Sequence, residues 1–196
     1  GEDFIDGDDV CLILGDNIFH SDTFINKYLL PSFTNKKATV FGCHVVDPER
    51  YGVVEFDDNN SVISIEEKPL KPKSNYAVAG LYIFDKKASS IAKKLIPSER
   101  NETEIVDMLN EYLKLDRLQV QLLGRGVAWL DTGTHHSLHD ASNYIEVLEN
   151  RQGLKIGCIE EIAYKKSYIT KDDLMNLAAP LNNNYGKYLV KIANLS

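Results

Sequence analysis

Two aspartates each follow a segment that the sequence predicts to be a β-strand. Asp16 comes after the apolar run V-C-L-I-L at residues 10–14, and Asp131 ends the stretch G-R-G-V-A-W-L-D. In open α/β sheets, ligands bind beyond the carboxyl ends of the strands. Because Mg²⁺ prefers oxygen ligands and often takes one or two carboxylates plus substrate phosphates, the pair predicts a magnesium site. Such a site would suit phosphoryl or nucleotidyl transfer.

Each aspartate also has a purely structural interpretation. Gly-Asp-Asn at 15–17 is a favourable turn, in which the carboxylate of Asp16 can accept backbone N–H groups. Asp131 can support the turn before Thr134, a candidate helix N-cap, while Trp129, the only tryptophan, can fill the core. The pair is more informative than either member, because two carboxylates at strand ends can converge on one cation.

A third candidate lies in the stretch I-S-I-E-E-K-P at residues 63–69. Strand alternation puts Glu67 on the same face as Ile63 and Ile65, where a carboxylate needs a polar partner. A sugar hydroxyl can be that partner, and Lys68 can meet a phosphate. The alternative is a glutamate exposed at the rim of a sheet beside a solvated lysine.

Two further positions could contact a ligand. Tyr51 and Gly52 open a predicted strand in E-R-Y-G-V-V-E-F, where the tyrosine could stack on a sugar or simply be half-buried in the strand. Gly80 interrupts the strand pattern Y-A-V-A-G-L-Y. A glycine there marks either the close approach of a ligand or backbone, or a β-bulge.

Alternating strands and helices over about the first 150 residues must position these side chains. We expect strands at 10–14, 38–46, 75–84 and 118–123, a hairpin at 51–67 around D-D-N-N, and helices at 22–35, 85–96, 101–115 and 134–151. The pattern predicts a Rossmann-like α/β layer fold, with a mixed, mainly parallel sheet flanked by helices, in which the apolar segment 10–14 is a buried parallel strand.

Finer features of two helices and the end of the chain can also be predicted. In the first helix the expected buried residues are Phe24, Leu29, Leu30 and Phe33, and Asn101 is the expected N-cap of the third. Residues 160–166, 170–179 and 184–194 predict short helices, split by Pro180 and N-N-N. We therefore predict a core domain at 1–152 and a small helical subdomain at 153–196, which could make regulatory or oligomer contacts.

Composition argues against several classes of partner. The 196 residues carry a net charge of −7, whereas nucleic-acid-binding surfaces usually show a basic excess. No apolar run reaches transmembrane length, and the acidic start G-E-D-F-I-D lacks the features of a signal peptide. Three cysteines without a C-x-x-C motif predict neither a disulfide framework nor a zinc site. We expect a cytoplasmic protein with no nucleic-acid or membrane partner.

Five ordered motifs resemble those of the sugar-1-phosphate nucleotidyltransferases. They are L-G-D-N-I-F, D-P-E-R-Y-G-V-V-E-F, E-E-K-P, S-N-Y-A-V-A-G-L-Y and G-R-G-V-A-W-L-D-T-G-T. Within that family the likeness is greatest to enzymes that join dTTP to glucose 1-phosphate in the dTDP-rhamnose pathway. The resemblance implies that a phosphate oxygen of glucose 1-phosphate attacks the α-phosphorus of dTTP, giving dTDP-glucose and pyrophosphate with Mg²⁺ as cofactor.

The resemblance also implies roles for individual residues. Asp16 and Asp131 match the magnesium ligands and, with Lys68, the catalytic residues. The residues that match contacts to glucose 1-phosphate are Tyr51, Gly52, Glu67, Lys68, Val78 and Trp129. We add Gly80 to this set because of its place in the strand. A second, regulatory nucleotide site is implied as well, with candidates His20, Arg125, Glu161 and Lys165. The resemblance also implies assembly as a homotetramer.

One departure from the family concerns the nucleotide. The glycine-rich loop of the form L-A-G-G-x-G-T-R-L-x-P-x-T and the segment P-x-G-L-A-x-A do not occur among these residues. We expect both to belong before residue 1, so that the chain corresponds to an N-terminally truncated family member. Backbone N–H groups of such a loop grip the triphosphate, and the chain alone is expected to lack most of the dTTP site.

Two alternatives to dTTP-dependent catalysis stay open. The same chemistry could use UTP or ATP, because the residues that read the base would lie upstream. A non-catalytic module that binds a sugar phosphate or promotes oligomerisation is the alternative from another class.

Overall fold

A computed structural model describes residues 1–59, 61–98 and 101–195, so that Asn60 of the predicted hairpin loop lies outside the described residues. The chain divides into two compact units, Gly1–Thr134 and His135–Ser196. The division falls before the long helix at His135–Gln152, whereas we predicted a boundary after it.

The first unit contains the strands. These are β1 Val10–Ile13, β2 Asn17–His20, β3 Ala38–His44, β4 Gly52–Phe56, β5 Val62–Glu67, β6 Tyr76–Phe84, β7 Leu118–Leu122 and β8 Ala128–Asp131. Its α-helices are α1 Glu2–Ile5, α2 Leu30–Ser32, α3 Ala88–Ala92 and α4 Ile105–Lys114. A π-helical turn at Ile25–Leu29 leads into α2, and a 3₁₀ turn at Pro48–Arg50 precedes β4.

The main sheet is mixed, which confirms the α/β fold but corrects the expected strand directions. Its order is β5-β4-β6-β3-β7, with β1 also paired to β6. Only the β3–β7 pair is parallel among the pairs described, and the others are antiparallel. A parallel connection needs a dozen or more residues, and the link from β4 to β5 is far shorter. The hairpin predicted at 51–67 is therefore present.

The strand β1 differs from its prediction as a buried parallel strand. It runs antiparallel to β6, with Val10 opposite Phe84 and Ile13 opposite Leu81. Ile13 is 55% exposed and Leu12 is 38% exposed. Among the described residues β1 pairs with β6 alone, so that it forms a sheet edge, where apolar side chains have fewer neighbours.

Both faces of β6 are buried. Val78, Tyr82 and Phe84 belong to the apolar cluster that includes α3 and α4, whereas Ala79, Leu81 and Ile83 belong to a second cluster with Phe24 and Tyr28. Successive side chains of a strand point to opposite faces, which explains this division. The central strand thus joins the two cores of the first unit.

Two predicted details of the helices are wrong. In the first helical segment Phe24 is buried as predicted, but Leu30 is 53% and Phe33 43% exposed, while Tyr28 is buried instead. The π-helical turn changes the angular spacing, which moves these side chains off the expected face. Asn101 has a positive φ of 58° and does not cap α4, which begins four residues later behind Glu104.

The second unit consists of α5 His135–Gln152, α6 Ile159–Lys165, α7 Lys171–Ala178 and α8 Asn184–Asn194, which confirms the three predicted short helices. Thr170 and Asp173 form a capping box at α7. Gly186 packs so closely on Leu181 that an added Cβ would lie 2.1 Å from its carbonyl oxygen. No helix in the described part of the chain is long and apolar enough to cross a membrane.

Candidate active site

A two-stranded ladder that the sequence did not predict brings the two aspartates together. In the antiparallel β2–β8 pair, Asn17 lies opposite Asp131 and Phe19 opposite Trp129. Thr132 also connects the two segments, because its N–H and hydroxyl donate to the carbonyl oxygen of Asp16 at 2.8 and 3.0 Å. Strand β2 escaped prediction because its four residues, N-I-F-H, are too few to show a period.

The carboxylates of Asp16 and Asp131 reach the same small region. A Cβ added to Gly133 would lie 3.0 Å from Oδ1 of Asp131 and 3.6 Å from Oδ2 of Asp16. The N–H of Gly133 donates to Asp131 Oδ1 at 2.9 Å, which fixes that carboxylate. The two side chains are hard oxygen donors that could hold a divalent cation, with water or phosphate completing its shell. Within the described ranges, no group of three or more His, Cys, Asp or Glu could hold a metal.

A cavity of about 310 Å³ lies beside these carboxylates. It is lined by all nine residues predicted for the metal and the sugar phosphate: Asp16, Tyr51, Gly52, Glu67, Lys68, Val78, Gly80, Trp129 and Asp131. A larger groove of about 1100 Å³, bounded by β5, α3 and α4, contains none of them. We take the smaller cavity as the candidate site, because it combines converging carboxylates with an aromatic wall and a lysine.

Glu67 and Lys68 stand at the end of β5. Glu67 pairs with Gly52 across the β4–β5 ladder, and its side chain is 26% exposed. Lys68 has a positive φ of 45°, and its N–H donates to the carbonyl oxygen of Tyr51 at 3.0 Å. The Lys68 ammonium lies 3.7 Å from Glu67 Oε1. The cavity therefore presents an acceptor and a cation side by side.

Tyr51 and Trp129 form the aromatic part of the wall. Their ring centroids are 5.1 Å apart, with the planes tilted by 60°. The Tyr51 hydroxyl donates to Asp131 Oδ2 at 3.3 Å. Burial, followed by the negative charge of Asp131, raises the pKa of Tyr51 to about 12. The hydroxyl is therefore protonated at neutral pH and acts as a donor.

Gly80 is explained by a close approach within the chain. An added Cβ would lie 2.7 Å from the side-chain carbon and oxygen of Asn17, and the Gly80 N–H donates to Asn17 Oδ1 at 2.9 Å. The pairing of β3 with β6 shifts register at this point, since Val40 is opposite Tyr82 but Phe41 is opposite Ala79. The bulge foreseen as one alternative is thus present, and Asn17 fills the space left by the missing side chain.

Seven further residues line the cavity without having been assigned to the site from the sequence: Leu14, Asn17, Arg50, Tyr82, Ile105, Gly133 and Thr134. Arg50 directly precedes Tyr51, and Asn17 directly follows Asp16, so that proximity to the assigned residues was the available signal. Burial, with smaller effects of the Glu67 and Asp16 charges, raises the pKa of Tyr82 well above its usual value.

The residues predicted for a regulatory site lie in different units. His20 ends β2 opposite Ala128, and Arg125 is exposed between β7 and β8. Glu161 and Lys165 both belong to α6 in the second unit, with the ammonium 2.5 Å from Glu161 Oε1. Glu161 also accepts the hydroxyl of Tyr188. The shared role of these four residues stays a prediction.

Comparison with known proteins identifies relatives over nearly the whole chain. A glucose-1-phosphate thymidylyltransferase from Xanthomonas campestris pv. campestris is 53% identical over 194 residues, which cover 98% of this chain and 66% of that protein. One of the same name from Neisseria meningitidis serogroup A is 48% identical over 193 residues, covering 98% and 67% of the two chains. The chain thus spans about two thirds of the length of these relatives.

Solved structures agree with this relationship. A Bacillus anthracis protein assigned as a glucose-1-phosphate thymidylyltransferase, solved with sucrose, is 45% identical and superposes with a TM-score of 0.64 over 73% of this chain and 56% of its own. A UDP-glucose pyrophosphorylase with UDP-glucose shares the fold at 24% identity and a TM-score of 0.64, over 74% and 58% of the two chains. The family model described as nucleotidyl transferase matches residues 1–147, and the chain therefore belongs to the nucleotidyl transferase family.

Proposed function

We propose that this chain provides the sugar-phosphate and metal half of an enzyme that transfers a thymidylyl group from dTTP to glucose 1-phosphate. The products would be dTDP-glucose, for the dTDP-rhamnose pathway, and pyrophosphate. The single observation that carries the proposal is the cavity in which Asp16 and Asp131 converge beside Glu67, Lys68 and Trp129. The names of the relatives, which are 48% and 53% identical, support dTTP and glucose 1-phosphate as the substrates.

The proposed reaction is an in-line substitution at phosphorus. A phosphate oxygen of glucose 1-phosphate forms a bond to the α-phosphorus of dTTP, while the bond from that phosphorus to the bridging oxygen of pyrophosphate breaks. When Mg²⁺ is bound, it neutralises charge on the phosphate oxygens. Asp16 and Asp131 would hold the ion, because their carboxylates converge and hard oxygen donors suit it. This role for magnesium is part of the proposal.

The other side chains would bind and orient the sugar phosphate. Glu67 is only 26% exposed, so that its carboxylate can accept hydrogen bonds from sugar hydroxyls in a partly dry site. The rings of Tyr51 and Trp129 offer an apolar wall against a sugar face. The Lys68 ammonium, 51% exposed, can approach the phosphate as a point charge.

A second candidate function is binding of the sugar phosphate without turnover. It requires only residues that line the cavity, among them Glu67, Lys68 and Trp129. Release of pyrophosphate from dTTP and glucose 1-phosphate separates the two functions. Turnover that Asp131→Asn abolishes would support catalysis, whereas Mg²⁺-dependent turnover retained by that variant would contradict the metal assignment.

Ligand-induced stabilisation tests the sugar half without requiring turnover. A ligand that binds only the folded state raises the melting temperature. We expect glucose 1-phosphate with Mg²⁺ to raise it for the wild-type chain and to raise it less for Glu67→Gln. A cooperative transition that neither ligand shifts would contradict the assignment of this cavity.

We also propose a cytoplasmic homotetramer. The resemblance to the family supports the assembly, and the three cysteines, which are free, support a reducing compartment. Light scattering coupled to size-exclusion chromatography tests the assembly, and a monomeric mass at micromolar concentration would contradict it.

A further inference from the structure

Arg50 forms an ion pair with Asp131, which is one of the two candidate metal ligands. Its Nη2 lies 3.2 Å from Asp131 Oδ2, and its Nη1 donates to Asp47 Oδ2 at 2.8 Å. The guanidinium carbon lies 5.2 Å from the centroid of the Tyr51 ring. The side chain of Asp131 is only 16% exposed, so that Arg50 neutralises a carboxylate that has little contact with water.

A divalent cation bound by the carboxylate of Asp131 would conflict with this contact, because both cations would share one carboxylate. Oδ2 of Asp131 accepts from both Arg50 and the Tyr51 hydroxyl, while Oδ1 accepts from Gly133. Mg²⁺ binds carboxylate oxygen at about 2.0–2.1 Å. A guanidinium at 3.2 Å from Oδ2 of the same carboxylate would then lie close to a dication, and like charges at short separations repel.

After displacement from Asp131, Arg50 would still be held by its ion pair with Asp47. Asp47 is 37% exposed and does not line the cavity, whereas Arg50 does. A guanidinium held through Nη1 still has Nη2 and Nε free to donate to another acceptor. Lys68 lines the same cavity, so that the two cations together would suit a phosphate dianion.

From these contacts, and resting on the proposed metal site, we propose that Arg50 is the resident counter-ion of Asp131. A divalent cation displaces it, and the displaced guanidinium then binds the phosphate of the sugar phosphate. Arg50 is thus exchanged between a protein carboxylate and a substrate anion. It prevents an unpaired negative charge before the cation binds, and adds a phosphate ligand afterwards.

Mn²⁺ binding tests the first half of this proposal without requiring catalysis. Dissociation constants for Mn²⁺ would be measured on the full chain by calorimetry at low salt, without nucleotide. Because Arg50 competes for Asp131, Arg50→Gln should bind Mn²⁺ about three- to tenfold more tightly than wild type. The matched control is Lys73→Gln, which removes the same charge from an exposed lysine paired with Glu55.

The outcomes distinguish failure of the inference from failure of the proposed function. Mn²⁺ binding that Asp131→Asn leaves unchanged would overturn the metal site itself. Binding lost in Asp131→Asn but equal in wild type, Arg50→Gln and Lys73→Gln would overturn only the counter-ion role. Arg50→Lys keeps the charge but loses the fork that spans Asp47 and Asp131, and should bind Mn²⁺ more tightly than wild type.

Binding of glucose 1-phosphate tests the second half. At saturating Mn²⁺, Arg50→Gln should weaken it about tenfold, because a charge-assisted contact to the phosphate is lost. An unchanged dissociation constant would overturn the phosphate-binding role. Far-UV circular dichroism and melting of each variant would show whether a loss reflects unfolding.

Discussion

The indole N–H of Trp129 donates to the side-chain oxygen of Asn17 at 2.6 Å. Asn17 in turn donates through Nδ2 to Asp16 Oδ1 at 2.8 Å. The aromatic wall of the cavity is therefore connected to a candidate metal ligand through one amide. Asn17 positions both, since it also accepts the Gly80 N–H and so fixes β2 against β6.

Replacement of Asn17 should be visible in tryptophan fluorescence. Asn17→Ala leaves the half-buried Trp129 N–H without its partner, which costs about 1–3 kcal/mol of unfolding free energy. The chain has one tryptophan, so that any change in emission reports this site. We expect a shifted emission maximum and a lower melting temperature. Asn176→Ala, on the exposed face of α7, is the control, and an unshifted spectrum for Asn17→Ala would contradict the contact.

Gly80→Ala should destabilise the chain by crowding Asn17. The added Cβ would meet side-chain atoms of Asn17 at 2.7 Å, and such overpacking costs about 1–3 kcal/mol. The double variant with Asn17→Ala should lose less stability than the sum of the two single variants, because the clash is removed. Gly15→Ala, where no atom lies within 4 Å of an added Cβ, is the matched control. Additive losses in chemical denaturation would rule out the clash.

Glu67→Gln should weaken the binding of glucose 1-phosphate more than the binding of dTTP. A hydrogen bond to a charged group contributes about 1.5–3 kcal/mol, which corresponds to a loss of roughly tenfold or more in affinity. Calorimetric titration with each ligand measures the difference. Glu66→Gln removes the same charge from an exposed neighbour on the other strand face and should change neither affinity. Equal losses for both ligands in Glu67→Gln would indicate a structural role.

Alkaline pH should destabilise the second unit through Tyr188. Burial, followed by the bond to Glu161, raises the pKa of Tyr188 to about 12 from a usual value of 10.0. Because the folded state keeps this proton longer than the unfolded state, the stabilisation is complete below pH 10 and is lost as pH rises from 10 to 12. The unfolding free energy of Tyr188→Phe should fall less steeply over that interval.

The exposed Tyr168 provides the control for this pH effect. It is 80% exposed, so that Tyr168→Phe should keep the wild-type slope of stability against pH. If the unfolding free energy of Tyr188→Phe fell with pH as steeply as that of wild type, the prediction would be wrong, because the Tyr188 hydroxyl would then titrate alike in the folded and unfolded chain.

Much of the first unit could be predicted from the sequence, because its signals are local. The many β-forming residues at 38–46 and 75–84 and the turn formers D-D-N-N are properties of short segments, and the corresponding strands and hairpin are present. The same holds for the helices after residue 153, which are separated by Pro180 and by turn-forming asparagines. Local patterns, together with the family resemblance, were also enough to single out nine of the sixteen residues that line the cavity.

Strand direction and burial depended on contacts between distant segments. The run at 10–14 has the composition of a buried parallel strand, but pairing with β6 made it an antiparallel edge strand. The π-helical turn at Ile25–Leu29 moved Leu30 and Phe33 to the surface, which no helical period could foresee. For the run at 10–14 the deciding factor was the strand with which it paired, and composition does not encode that.

By itself, the sequence determined which residues could do chemistry, because carboxylates, a lysine and aromatic side chains are identified by type and by local pattern. Only the tertiary structure decided which of them meet. The β2–β8 ladder places Asp16 beside Asp131, and the bulge in β6 makes room for Asn17. The same folding put Arg50 on Asp131. Hydrogen-bond partners across a sheet are set by register between segments far apart in the chain, and register exists only once the strands have paired.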